Sequence, residues 1–270
     1  VLDPHTGGVV AMASFPTYNP AEFIDGISDS EFAYLEDEAN FAPQNNRAIQ
    51  GQYAPGSTFK PFTAASALSA GIITPGTTVY DTGEFEVPGC TGDSCFFTND
   101  NGKAYGTVDL RRSLTVSSDV YYYGLGAQFW RDQDALGGPE KFSDLLQRWG
   151  FYKDTGIDLP FEQSGRIPSP KWLAEYCDQI ECLEDTWRTG DNVNMAVGQG
   201  SVLLTPLQIA NAYAAIGNGG TVWVPHIVKE IHDGVSGEVT KTIAPKELSR
   251  VELLAEWRTA ILDGLKGATT

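Results

Sequence analysis

Polar and apolar positions divide the chain into segments of different period. Leu2 leads into the turn-rich Asp3-Pro4-His5-Thr6-Gly7-Gly8 and then the apolar run Val9-Val10-Ala11-Met12-Ala13, which predicts a hairpin and the start of a sheet. From Phe15 to Tyr53 the residues are mostly Asn, Pro, Asp and Glu with scattered apolar ones, so loop is expected there, with one short acidic helix near Asp29 to Glu38. After Ser57 the apolar residues recur at Phe59, Phe62, Ala65 and Leu68, the spacing of a helix with one buried face, closed by Ala70-Gly71. Asp81 to Gly106 reads as an irregular excursion. Helical patterns follow at Val108 to Leu114 and Val120 to Phe129, with Ser117 in the loop between them. Thr205-Pro206 is the preferred cap and first-turn pair of another helix, which runs through Leu207, Ala210, Tyr213 and Ala214 to Gly217-Asn218-Gly219-Gly220. Thr221 to Ile231 is strand-like, Asp233-Gly234 marks a turn, and Glu247 to Leu265 has the period of an amphipathic helix. Strands near both ends with helices between them predict an α/β fold, a sheet with helices on both faces.

Composition adds bounds. The 270 residues are 41% hydrophobic and 11% aromatic, enough for one large domain with its own core. Eighteen basic against 35 acidic residues give a net charge of −17, which repels phosphate backbones and anionic headgroups and excludes nucleic acid as a partner. No apolar run approaches the roughly 20 residues that span a bilayer. The opening Val1-Leu2-Asp3-Pro4 has neither a basic region nor a cleavage site, so any anchor or export signal is expected outside this chain, which reads as a piece of a longer protein. The cysteines form two local pairs, Cys90-x4-Cys95 and Cys177-x4-Cys182. That spacing permits two short-loop disulfides, the preferred one of three possible connectivities. A zinc site would need all four to converge, and C-x4-C is looser than the usual C-x2-C.

The candidate chemistry begins at Ser57-Thr58-Phe59-Lys60, at the head of the helix that follows Ala54-Pro55-Gly56. A spacing of three places the hydroxyl and the amine on one face, one turn apart. Serine needs an adjacent base to become a nucleophile, and lysine becomes a base when burial lowers its pKa. Unpaired backbone N–H groups at a helix start can also stabilise an oxyanion. Taken alone, the four residues favour the plainer reading, an N-cap Ser and a solvated first-turn Lys, since S-x-x-K often occurs by chance.

Ser117-Ser118-Asp119, followed by Tyr121-Tyr122-Tyr123, changes that balance. With it the chain resembles the penicillin-recognising serine enzymes, whose signature is S-x-x-K, then S-x-N or S-x-D, then K-T-G or K-S-G. Further passages are similar to the class B penicillin-binding proteins: Val1-Leu2-Asp3-Pro4 through Ala13-Ser14, Gln52-Tyr53-Ala54-Pro55-Gly56-Ser57-Thr58-Phe59-Lys60-Pro61, Gly190 through Gly200, and Leu204-Thr205-Pro206-Leu207-Gln208. Tyr18-Asn19-Pro20, Phe23 to Ser28, and aspartate at position 119 resemble the elongation-type branch, penicillin-binding protein 2.

That resemblance implies a penicillin-binding transpeptidase, serine β-lactamase-like fold with residues 1–270 as one domain, incomplete at its C-terminus, the anchor and pedestal domain lying outside. It implies a peptidoglycan D,D-transpeptidase: Ser57 attacks the penultimate D-Ala carbonyl of a stem peptide, Lys60 takes its proton, Ser117 relays a proton to the leaving amine, and Asp119 holds Lys60 or the substrate amide. Asp119 as a plain cap of the following helix is the alternative reading. Implied partners are D-Ala-D-Ala stem peptides, β-lactam antibiotics and a membrane glycosyltransferase of the shape machinery. The implied location is the extracytoplasmic face of the bacterial membrane. Some elongation-type relatives bind zinc where Asp81 to Cys95 lie, but His5, His226 and His232 are the chain's three histidines, so no metal or other cofactor is expected. Gly198-Gln199-Gly200 reads as a structural bend. The third motif is absent, the sequence ending at Lys266-Gly267-Ala268-Thr269-Thr270. Two other functions stay open: a class D-like β-lactamase or penicillin sensor, and an inactive scaffold of the same fold.

Overall fold

The computed structural model describes residues 1–92, 95–180, 182 and 185–269. Asp93 and Ser94, within the excursion, lie outside them. The expected N-terminal hairpin is reduced to a single antiparallel bridge between Leu2 and Val9, and Gly8 bridges His226 in parallel. The acidic helix is α1 (Asp29–Glu36), started by a capping box in which Ser28 and Glu31 exchange hydrogen bonds.

The nucleophile candidate does not open an α-helix directly. Gly56–Phe59 form a 3-10 turn, and α2 (Lys60–Ser69) continues from it with Pro61 in its first turn, where a missing N–H costs nothing. Every residue of α2 from Lys60 to Leu68 is buried. Its aromatic end sits in a cluster where the Phe62 ring lies 5.0 Å from both Trp149 and Phe151 and 5.2 Å from Tyr213. These edge-to-face contacts anchor the helix start.

The excursion is more regular than expected. Strand β1 (Val79–Asp81) and β2 (Glu84–Glu86) enter it, β3 (Phe96–Thr98) and β4 (Gly106–Val108) leave it, and antiparallel ladders pair β1 with β4 and β2 with β3. The Cys90–Cys95 disulfide closes the tip. Asp109 caps α3 (Leu110–Thr115), which splits the pattern read as helical from Val108 into a strand and a helix. Next come α4 (Asp119–Arg131), α5 (Gln133–Leu136), α6 (Lys141–Gln147), α7 (Pro170–Cys177) and α8 (Thr189–Ala196). A Cβ on Gly126 of α4 would stand 2.4 Å from the Asn192 carbonyl of α8, so only glycine lets these two helices approach so closely. The Cys177–Cys182 disulfide follows α7. Both bridges join the local pairs.

Helix α9 (Pro206–Asn218) has its Thr205–Gln208 capping box and ends at Gly219 with φ 92°. The strand expected from Thr221 to Ile231 is interrupted: β5 (Thr221–Trp223) stops short of Pro225, which cannot donate to a ladder, and β6 (Glu230–His232) turns through Asp233 into β7 (Val239–Thr242). The last expected helix is shorter than its period suggested. Glu247–Arg250 form β8, paired antiparallel with β5, and α10 (Ala255–Gly267) follows. Among the described residues the strands thus form four two-stranded ladders, with helices packed around a main apolar core that runs from Phe59 to Ile261, and a small second cluster of Ile49, Ile157 and Leu207 lies apart from it.

Candidate active site

The chain between α3 and α4 makes a tight turn. Ser117 has φ 55°, left-handed backbone that a non-glycine residue adopts only when its surroundings hold it there. Ser118 is the N-cap of α4, its hydroxyl accepting the Tyr121 amide at 3.2 Å. Asp119 is then the first residue of the helix rather than its cap, and its carboxylate is free to turn elsewhere.

It turns to Lys60. The Lys60 ammonium, 1% exposed, donates to Asp119 Oδ1 at 2.8 Å, to Ser117 Oγ at 2.9 Å and to the Ser117 carbonyl at 2.8 Å, and it lies 5.6 Å from the centre of the Tyr122 ring. Burial pushes the Lys60 pKa below its ordinary value, because the charged form loses its hydration. The charge and hydrogen bond of Asp119, and then the charge of Asp81, pull it back part of the way. The result is an amine held at three fixed points and readier than a surface lysine to give up its proton. The Tyr122 hydroxyl is pushed far up by burial and stays protonated.

Ser57 is exposed in the 3-10 turn, three residues before Lys60, whose backbone N–H donates to the Ser57 carbonyl. Three contacts fix this turn. The Gly56 amide donates to the Gly198 carbonyl at 2.9 Å, Tyr53 and Leu204 exchange two backbone hydrogen bonds, and the Tyr213 hydroxyl donates to the Thr58 carbonyl at 2.9 Å. The fold therefore brings Lys60, Ser117 and Asp119 together and places Ser57 on the turn that leads into Lys60. Sequence reasoning did not foresee Asp81, Tyr213 or the contact made by Gly198 at this site. Tyr213 reads as one more apolar residue of a helical face, and no local pattern reveals that its hydroxyl reaches 155 positions back along the chain.

Among the described residues no three or more His, Cys, Asp or Glu side chains converge as a metal site, and all four cysteines are in disulfides. Among the described residues no helix is long and apolar enough to cross a membrane.

The family model of the penicillin binding protein transpeptidase domain matches residues 1–268. The Escherichia coli (strain K12) peptidoglycan D,D-transpeptidase MrdA is 33% identical over 267 residues, which cover 99% of this chain and 39% of that protein. Among solved structures, Pseudomonas aeruginosa PBP2 in complex with WCK 5153 superposes with a TM-score of 0.79 at 29% identity, covering 98% of this chain and 55% of its own. A chain from a peptidoglycan synthase complex described as coordinating polymerization and crosslinking superposes with a TM-score of 0.80 at 31% identity, covering 99% and 41%. The chain thus spans about two-fifths of the length of the curated relative it matches.

Proposed function

The chain belongs to the penicillin-binding protein transpeptidase domain family and has its fold, and from that premise we propose that it carries the acylating half of a peptidoglycan D,D-transpeptidase of the cell-elongation type. The observation that carries this reading is Lys60: a buried amine, one turn after an exposed serine, held by Ser117 and Asp119. Nothing about packing asks for an ammonium there, since taking it out of water costs several kcal/mol before its partners offset any of it.

In this reading Ser57 Oγ attacks the carbonyl carbon of the penultimate D-Ala while its proton passes to the neutral Lys60 amine. Backbone N–H groups at the head of the 3-10 turn stabilise the developing oxyanion. Ser117 Oγ, hydrogen-bonded to Lys60 Nζ, passes its proton to the amine of the departing D-Ala and takes one from the Lys60 ammonium in its place, so that the C–N bond breaks and an ester is left on Ser57. Asp119 keeps the ammonium in place while it holds the proton. The amine of a second stem peptide then attacks the ester, and the cross-link forms as Ser57 regains its hydrogen. A β-lactam offers an amide in the same place, but its leaving amine stays tethered, so the adduct on Ser57 persists. A membrane glycosyltransferase is the proposed partner, a reading supported by the description of the synthase complex named above as coordinating polymerization and crosslinking, and the extracytoplasmic face of the membrane is the proposed location.

A fluorescent penicillin tests the reading on the protein produced from its complete reading frame. The expected result is a stable adduct mapped to Ser57 and lost in Ser57→Ala with the melting temperature unchanged. Labelling that survives Ser57→Ala refutes the nucleophile. Release of the label within seconds identifies a hydrolase instead.

A further inference from the structure

Asp81 ends β1 with its side chain 0% exposed, and no lysine, arginine or histidine among the described residues forms an ion pair with it. A carboxylate out of water needs hydrogen bonds in compensation, and four reach it. The Ser118 hydroxyl donates to Oδ2 at 2.5 Å, the Asn99 amide to Oδ1 and Oδ2 at 2.8 and 2.9 Å, and the Gly83 backbone N–H to Oδ1 at 2.8 Å. Two of these donors do a second job. Ser118 Oγ accepts the Tyr121 amide, and Asn99 Oδ1 accepts the Val120 amide at 3.0 Å. These are N–H groups of the first turn of α4, which has no carbonyls of its own to offer them. Both caps therefore hang on one buried carboxylate, which also lies at the positive end of that helix.

Between the capped turn and α3 sits Ser117, with φ 55° and both its hydroxyl and its carbonyl on Lys60. Such a conformation is strained for a residue with a side chain and persists only where flanking residues hold it. Asn99 and Ser118, each 2% exposed or less, supply that rigidity, and Asp81 accepts from both side chains, while the Lys103 carbonyl also takes the Asn99 amide at 2.7 Å.

We propose that Asp81 is a positioning residue: through Ser118 and Asn99 its carboxylate holds Ser117 and Asp119 at the distances from Lys60 over which a proton is passed. The assignment rests on the transpeptidase reading above. Its charge has a second, separable effect. The ionisable groups around Lys60 Nζ are Asp119, Asp81 and the Tyr122 hydroxyl, and the negative charge of Asp81 favours the protonated amine.

The test is the rate of acylation of Ser57 by a fluorescent penicillin, followed from pH 5 to 10 in the protein from its complete reading frame. Asp81→Asn lowers the maximal acylation rate about tenfold or more and leaves the penicillin dissociation constant within about twofold. It also shifts the rising limb of the pH profile to lower pH, because Lys60 loses a charge that favoured its proton. Ser118→Ala lowers the maximal rate about fivefold and leaves the limb in place, because Asp81 keeps its charge. A merely structural role moves the melting temperature and leaves the maximal acylation rate of the folded variants at the wild-type value. Wild-type rates in either folded variant overturn the assignment, and if Asp81→Asn fails to fold, Ser118→Ala decides alone. If the unsubstituted protein is not acylated at Ser57, the transpeptidase reading itself fails and Asp81 loses its role with it. If it is acylated and the variants match it, only the Asp81 assignment fails.

Discussion

Gly198 lies against Gly56: its carbonyl accepts the Gly56 amide at 2.9 Å, and a Cβ at Gly198 would stand 2.6 Å from the Gly56 carbonyl oxygen and 2.6 Å from Phe59 Cβ. Both glycines have positive φ, 56° and 69°. The loop after α8 thus serves as a template for the turn that carries Ser57, and there is no flexible side-chain end to move aside. Gly198→Ala forces the turn outward and is expected to cost about 2 kcal/mol in stability and slow Ser57 labelling about tenfold. Gly190→Ala, where a Cβ meets open space, is the control. Equal labelling by the two variants refutes the template.

Asp119 and burial act on the Lys60 amine in opposite directions. Asp119→Asn removes the largest contribution favouring the ammonium, so Lys60 deprotonates at lower pH and the rising limb of the acylation profile moves acidward. The maximal rate falls about 100-fold, because the amine also loses the charge that fixes it. A limb that moves to higher pH, or stays where it is with the rate intact, contradicts this assignment.

Ser57, Lys60, Ser117 and Asp119 were legible because their signatures are short and ordered along the chain, and helix signals such as Thr205-Pro206 are local in the same way. The ambiguity of Asp119 was real in sequence terms, since Ser and Asp are both good caps. The structure gives the cap to Ser118, one residue earlier, and that frees the carboxylate for Lys60. What stayed hidden is non-local. Glu247 to Arg250 carry helical periodicity but pair with β5, so tertiary pairing overrides the period. Asp81 is 37 positions from Ser118, and nothing in Tyr80-Asp81-Thr82 announces where its carboxylate goes.

The two disulfides each close a loop of sequence separation 5, and neither cysteine pair is among the residues that hold Lys60. Loop-closure entropy for so short a span is about 2 kcal/mol per bridge at most. Reduction is expected to add about 4 Da to the intact mass, two hydrogens per bridge. It should lower the melting temperature by a few degrees and leave the rate of Ser57 labelling unchanged. A fall in that rate on reduction shows that the Cys90–Cys95 tip supports the site after all.

Lys60 sets function against stability. Its pKa is depressed in the folded protein, with burial the largest cause, so Asp119 and Asp81 do not fully compensate the ammonium for its lost water. A lysine with a depressed folded pKa destabilises the fold fully while it is charged in both states, at pH below the folded value. That penalty fades as pH rises from the folded pKa towards the ordinary 10.5 of the unfolded chain. Lys60→Met fills nearly the same volume without a charge, and Asp119, 18% exposed, can turn to water. The variant is therefore expected to lose Ser57 labelling yet gain on the order of 1 kcal/mol, a rise of about 2–4 °C in melting temperature at neutral pH. The gain should shrink as the pH approaches the unfolded lysine's value, because the wild type sheds its penalty there. A lower melting temperature than wild type at pH 7 shows instead that Asp119 and Ser117 depend on the amine more than burial costs it.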